Sequence, residues 1–266
     1  MATIKNKTAI FFKVVGRSFV GAGRVVGNQV AQLYRSIDPD LKRHLAQTPF
    51  LSYSLFSSRE ASVTRQKADG YPPLIFVHGL GGSRGDFLLM SGYFWLKGRS
   101  RTYRISFQKG QSINQMTEAL VQFIRKVKKT TGEKEVDVVA HSLGGVISRM
   151  AITDYRLLGS VKTLITLGSP HQGTHSARLL NTPNLRDLRP ESTLMKKWGR
   201  KKWPKGIRGL TFWSRNDLMI LPAESAIIPG MKAVEMTPFT HYSYLIDPKC
   251  WQAVHKSLHF NRNIGM

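Results

Sequence analysis

The run Val136–Val139 passes straight into Ala140-His141-Ser142-Leu143-Gly144-Gly145, and a helix-forming stretch to about Tyr155 follows. That succession requires a buried strand, a tight turn and a helix within a few residues. Small residues two before and two after the serine, Ala140 and Gly144, let the turn form without a clash and leave the serine Oγ projecting above a sheet. The N-terminus of the following helix adds partial positive charge where an oxyanion develops. A bare A-x-S-x-G arises by chance in roughly one chain in ten. An ordinary turn with a helix-capping serine is therefore the bland alternative, and the context has to decide.

The context is an alternation of strands and helices, the pattern of a mostly parallel sheet covered by helices on both faces. Leu74–Val77, after Pro72-Pro73, reads as a buried strand, and Tyr103–Phe107 as a second. Between Ser112 and Lys129 the residues Ile113, Met116, Leu120, Phe123, Ile124 and Val127 recur at helical spacing, and Gly132 stops the helix. Further strands are expected at Leu164–Leu167, Leu210–Trp213 and Lys232–Met236, and an amphipathic helix after Pro248. With 266 residues and a single cysteine, Cys250, the chain is long enough for one substantial core and has no internal disulfide. The organisation expected is a basic amphipathic segment over 1–45, then one α/β domain over 46–266. The interval of about 174–208 is too long for an ordinary connection and is expected to be an insertion with helices of its own.

Upstream of the serine, the strand ending at Val77 runs into His78-Gly79-Leu80-Gly81-Gly82. Glycines there let a backbone approach a ligand closely. A phosphate loop is a weak alternative, because no G-x-x-x-x-G-K-[ST] is present. Downstream, Asp217 follows the strand Leu210–Trp213, and His241 follows Lys232–Met236. In the order serine, acid, histidine these form a candidate triad. His241 takes the proton of Ser142, and Asp217 holds the imidazole tautomer and stabilises the imidazolium. Glu224 is the reserve acid. The plain alternatives are a turn aspartate and a surface histidine.

His78-Gly79-Leu80-Gly81, Ala140-His141-Ser142-Leu143-Gly144 and Gly168-Ser169-Pro170-His171-Gln172-Gly173-Thr174 together resemble bacterial triacylglycerol lipases and related esterases of the α/β-hydrolase superfamily, over roughly residues 70–250. The resemblance implies the α/β-hydrolase fold with a lid or cap insertion. It also implies hydrolysis of lipid or other hydrophobic carboxyl esters through an acyl-enzyme on Ser142, with Leu80 and Leu143 supplying the two oxyanion N–H groups. The same residues serve an acyltransferase or a thioesterase, and a non-catalytic lipid-binding module is the reading from another class. No cofactor is implied. Some relatives hold calcium through an aspartate just after the catalytic histidine, but Tyr242-Ser243-Tyr244 offers no carboxylate. His171 and His175 are spaced i, i+4, yet Gly173 lies between them, so they read as loop histidines and no metal is expected.

The charge is +24, from 40 Lys and Arg against 16 Asp and Glu, which points to an anionic partner surface. Met195 to Arg208 holds seven cations with Trp198 and Trp203, the pairing expected at a lipid headgroup boundary. Two solvated-loop tryptophans packed on the core are the alternative. In the N-terminal segment Lys13, Arg17, Arg24 and Arg35 share a helical stripe. The expected partner is therefore an anionic membrane surface, met through the basic lid and N-terminus, and not nucleic acid; oligomeric state is not legible. No uninterrupted apolar run suits a signal peptide or a membrane span, so a cytoplasmic or peripherally membrane-associated protein is expected.

Overall fold

The computed structural model describes residues 63–154, 156–199 and 201–259, together with 38, 39 and 42. The basic stripe expected in the N-terminal segment and Arg200 of the insertion lie outside the described residues. Six strands form one sheet: β1 (Leu74–Val77), β2 (Thr102–Arg104), β3 (Val136–His141), β4 (Val161–Leu167), β5 (Arg208–Trp213) and β6 (Lys232–Glu235). Their order is β2-β1-β3-β4-β5-β6, and every pairing is parallel.

Alternation along the strands feeds two separate apolar layers. Ile75, Val77, Val138, Ala140 and Leu164 face one layer, and Leu74, Phe76, Val139, Ile165 and Phe212 face the other. Each fully buried side chain of this size contributes about 1.5–3 kcal/mol. On the first face lie α2 (Ile113–Thr131) and α3 (Leu143–Thr153); on the second lie α1 (Leu88–Leu96), α6 (Ser243–Ile246) and α7 (Pro248–His259). Helix α2 begins at a reciprocal cap: Ser112 Oγ accepts from Gln115 N at 3.3 Å, and Gln115 Oε1 accepts from Ser112 N at 2.9 Å. It ends at Gly132.

Between β4 and β5 the interval expected to be an insertion carries the helices α4 (Pro183–Asp187) and α5 (Thr193–Trp198). Its tryptophans correct the headgroup reading. Trp198 and Trp203 are 5% and 8% exposed and belong to the first apolar layer. Trp203 Nε1 donates to Ile207 O at 2.6 Å, and Lys201 Nζ lies 4.0 Å from the Trp198 ring centre. Indole surface is large enough that burying it against the sheet outweighs display to solvent. Lys196, Lys197, Lys202 and Lys205 stay exposed. Among the described residues no helix is long and apolar enough to cross a membrane.

A buried cation ties this insertion to α3. Arg149, on α3, is 2% exposed and donates to His171 O at 3.0 Å, to Gly199 O at 3.4 Å and to Lys201 O. Burial lowers its pKa to about 10, so it remains charged at neutral pH. Arg149→Met leaves those carbonyls without their donor and is expected to cost about 3 kcal/mol in chemical unfolding. Loss of less than 1 kcal/mol would show that the insertion is held by its apolar contacts alone.

Candidate active site

All strands being parallel, the segments after β1, β3, β5 and β6 leave from one edge of the sheet, the edge where such folds bind ligands. From β1 the chain goes out to β2 on one side and returns to β3 on the other, so the strand order switches between the adjacent strands β1 and β3. The loop His78–Gly82 and the turn at Ser142 therefore lie side by side. A Cβ on Gly79 would stand 2.8 Å from Ser142 Cβ, and one on Gly144 would stand 2.5 Å from the carbonyl oxygens of Val77 and His78. Side chains are excluded at both positions by contact.

Ser142 adopts φ 54°, ψ −126°, and it is the one non-glycine residue with positive φ among those described. Its own N–H donates to Leu167 O at 2.9 Å and is occupied. Leu143 opens α3, where first-turn N–H groups have no intrahelical acceptor. Ser142 is partly exposed and lines a pocket together with Gly79, Leu80 and His241. Pro170, Leu185, Leu188, Met219 and Ile220 form its apolar walls. Leu185 and Leu188 come from the insertion.

Asp217 and His241 meet across 24 residues. His241 Nδ1 lies 2.9 Å from Asp217 Oδ2 and 3.0 Å from Oδ1, with Asp217 1% exposed. Met219 N–H also donates to Asp217 Oδ1, at 3.0 Å. Glu224, the reserve acid, sits exposed in the 3-10 turn Ala223–Ala226 and is not part of this pocket. His171 is buried, with Nε2 3.1 Å from Thr166 Oγ1, while His175 begins a separate 3-10 turn.

Further side chains support this arrangement, and sequence patterns gave them no role. Phe107 N–H donates to His78 Nε2 at 3.2 Å, which leaves the proton on Nδ1 to donate to Gly79 O at 2.9 Å. Gly82 N–H reaches the same carbonyl at 3.2 Å. Leu80 N–H, antiparallel to that carbonyl across a trans peptide, points the other way. His141 Nε2 lies 2.9 Å from the backbone oxygen of His241, linking the residue before Ser142 to the loop carrying the histidine. Asp86 closes a cap on Ser83 and reaches the pocket rim. Burial, aided by Asp217 and Asp86, pushes the Tyr242 phenol up to about 12, so it stays protonated.

The model of a family described as PGAP1-like alpha/beta domain matches residues 100–182, less than half of the chain but including Ser142. The mature form of a Bacillus licheniformis lipase superposes with a TM-score of 0.64 at 18% identity, covering 74% of this chain and 96% of that one. The fold is the α/β-hydrolase fold. Aspergillus fumigatus lipase B shares the hydrolase fold with a TM-score of 0.63 at 16% identity, over 75% of this chain and 56% of that one. A triacylglycerol lipase of Burkholderia plantarii is 28% identical over 130 residues, 44% of this chain and 36% of the relative. The matched stretch thus spans about a third of that curated relative's length.

Three histidines of this hydrolase fold are buried and neutral. Desolvation lowers His78 to about 4, opposed by its bond to Gly79. Desolvation also holds His141 and His171 well below the usual range, helped by His241 and by Arg149 respectively. Unfolded histidine titrates near 6.5. Each therefore contributes stability that is fully present above about pH 6.5 and is lost as pH falls toward the folded value, about 3 kcal/mol for His78 alone. Thermal melts are expected to drop steeply between pH 6.5 and about 4. A flat melting temperature over that window would mean these rings are charged when folded.

Proposed function

We propose that this protein is a serine carboxylester hydrolase acting on lipid or other hydrophobic esters. One observation carries the reading: a serine held at strained φ and a histidine bonded to a buried aspartate open into the same apolar pocket. Names borne by its relatives, triacylglycerol lipase and lipase, support the same class.

In this reading His241 accepts the Ser142 proton as Oγ adds to the ester carbonyl. Charge on the tetrahedral oxygen is met by the N–H groups of Leu80 and Leu143 and by the N-terminus of α3. Collapse breaks the bond to the alcohol, which leaves with the proton from His241. Water, deprotonated by His241, then attacks the acyl-enzyme, and the acid departs as the proton returns to Ser142. Asp217 keeps the Nδ1–H tautomer throughout. The apolar walls from Met219, Ile220, Leu185 and Leu188 favour acyl chains over polar acids.

A series of p-nitrophenyl esters from acetate to palmitate tests the substrate class. The reading expects kcat/KM to rise with chain length before accessibility limits it, since each buried methylene contributes about 0.8 kcal/mol. Absence of turnover on every member would contradict the function.

A further inference from the structure

Helix α1 has no polar face. Met90, Ser91 and Phe94 are buried, while Leu88, Leu89, Gly92, Trp95 and Leu96 are exposed on the other side. Those five positions follow the i, i+1, i+4, i+7, i+8 spacing of one helical stripe, where a helix bordering water ordinarily carries charge. Trp95 is 64% and Leu96 75% exposed. Among the described residues seven large apolar side chains are exposed, and five of them fall between positions 80 and 96. The fifth, Leu80, belongs to the loop beside Ser142 and lines the pocket. The apolar stripe and the mouth of the pocket are thus joined through one short segment.

We propose that this face of α1 is the surface by which the protein docks on a bilayer containing anionic lipid, bringing the mouth of the Ser142 pocket to the membrane. The proposal rests on the lipid-ester reading above for its biological sense, but docking is measured separately from hydrolysis. Charge supports this occupant. Arg84 and Lys97 bracket the helix, and the one carboxylate between positions 80 and 98, Asp86, is buried. Trp95 with Lys97 at the helix end is the pairing that suits a headgroup boundary, and the whole chain carries +24. A second copy fits less well. Nine residues of helix are about 14 Å long and about 10 Å wide, well short of the roughly 800 Å² per partner of a stable interface.

The test uses the full chain. Cys250, the single cysteine, is buried, so Leu96→Cys supplies one accessible thiol for an environment-sensitive dye. Phosphatidylcholine vesicles containing phosphatidylserine are expected to shift the dye emission to the blue, pure phosphatidylcholine to do so weakly, and added salt to reverse the shift. The combined substitution Leu89→Gln, Trp95→Gln and Leu96→Gln is expected to weaken co-sedimentation with anionic vesicles about tenfold or more. It should leave hydrolysis of a short soluble ester and phosphonate labelling near normal. Ser142→Ala should bind vesicles fully, which separates failure of docking from failure of the hydrolase reading. A dye already blue-shifted without lipid would overturn the proposal: concentration dependence would assign the face to a second copy, and independence to the chain's own residues 1–62. Unchanged vesicle binding by the triple variant would overturn it as well, and the dye readout stands even should that variant fold poorly.

Discussion

Ser142→Ala is expected to reduce ester hydrolysis by about 10⁴-fold or more, since removing a triad nucleophile leaves only the residual catalysis of the oxyanion donors and binding. The loss should appear in kcat, with KM for a soluble ester little changed. Alanine fits wherever serine fits, so the fold should persist. Strain gives the position a second signature. A non-glycine residue at φ 54°, ψ −126° stores about 1–3 kcal/mol. Ser142→Gly should therefore be inactive yet more stable than Ser142→Ala in chemical unfolding. Activity above a tenth of wild type in Ser142→Ala would remove the residue from the mechanism. Equal stability of the two variants would show that the turn is not under strain.

Asp217→Asn is the second large effect. The Asp217 carboxylate oxygens face His241 Nδ1 and accept from Met219 N–H. An amide of the same shape can turn its NH₂ toward His241, which places the imidazole proton on Nε2, where it cannot accept from Ser142. The expected loss is up to about 10⁴-fold in kcat. Glu224→Gln, on an exposed turn away from the pocket, should change activity less than about twofold. The reverse pattern would reassign the acid.

Where local chemistry and periodicity agree, the chain was legible. Leu74–Val77 is the strand expected, and the Ser112-to-Gly132 helix is bounded by its cap and stop. The Ser142 turn lies between β3 and α3 as the flanking Ala140 and Gly144 required. Asp217 and His241 were nameable because strand ends in a parallel sheet converge on one edge. Helix α1 escaped because a segment apolar on both sides has no 3.6-residue rhythm, and its exposed stripe left no polar counterpart to reveal it. Pairing across the chain also left no local trace. Asp137 is buried within β3 because Arg99, 38 residues earlier, reaches Oδ2 at 2.6 Å. His78 and His141 look like ordinary loop and strand residues until the carbonyls they hold are located. Trp198 and Trp203 were misleading because the lysines beside them mark solvent while the rings themselves turn inward.

Covalent labelling by an alkyl fluorophosphonate, followed by peptide mapping, shows whether Ser142 is the nucleophile. One adduct per chain is expected, on the peptide carrying Ser142, formed in step with the loss of esterase activity and absent from Ser142→Ala. Esterase activity that survives complete labelling of Ser142, or an adduct on a different residue accompanying inactivation, would contradict it.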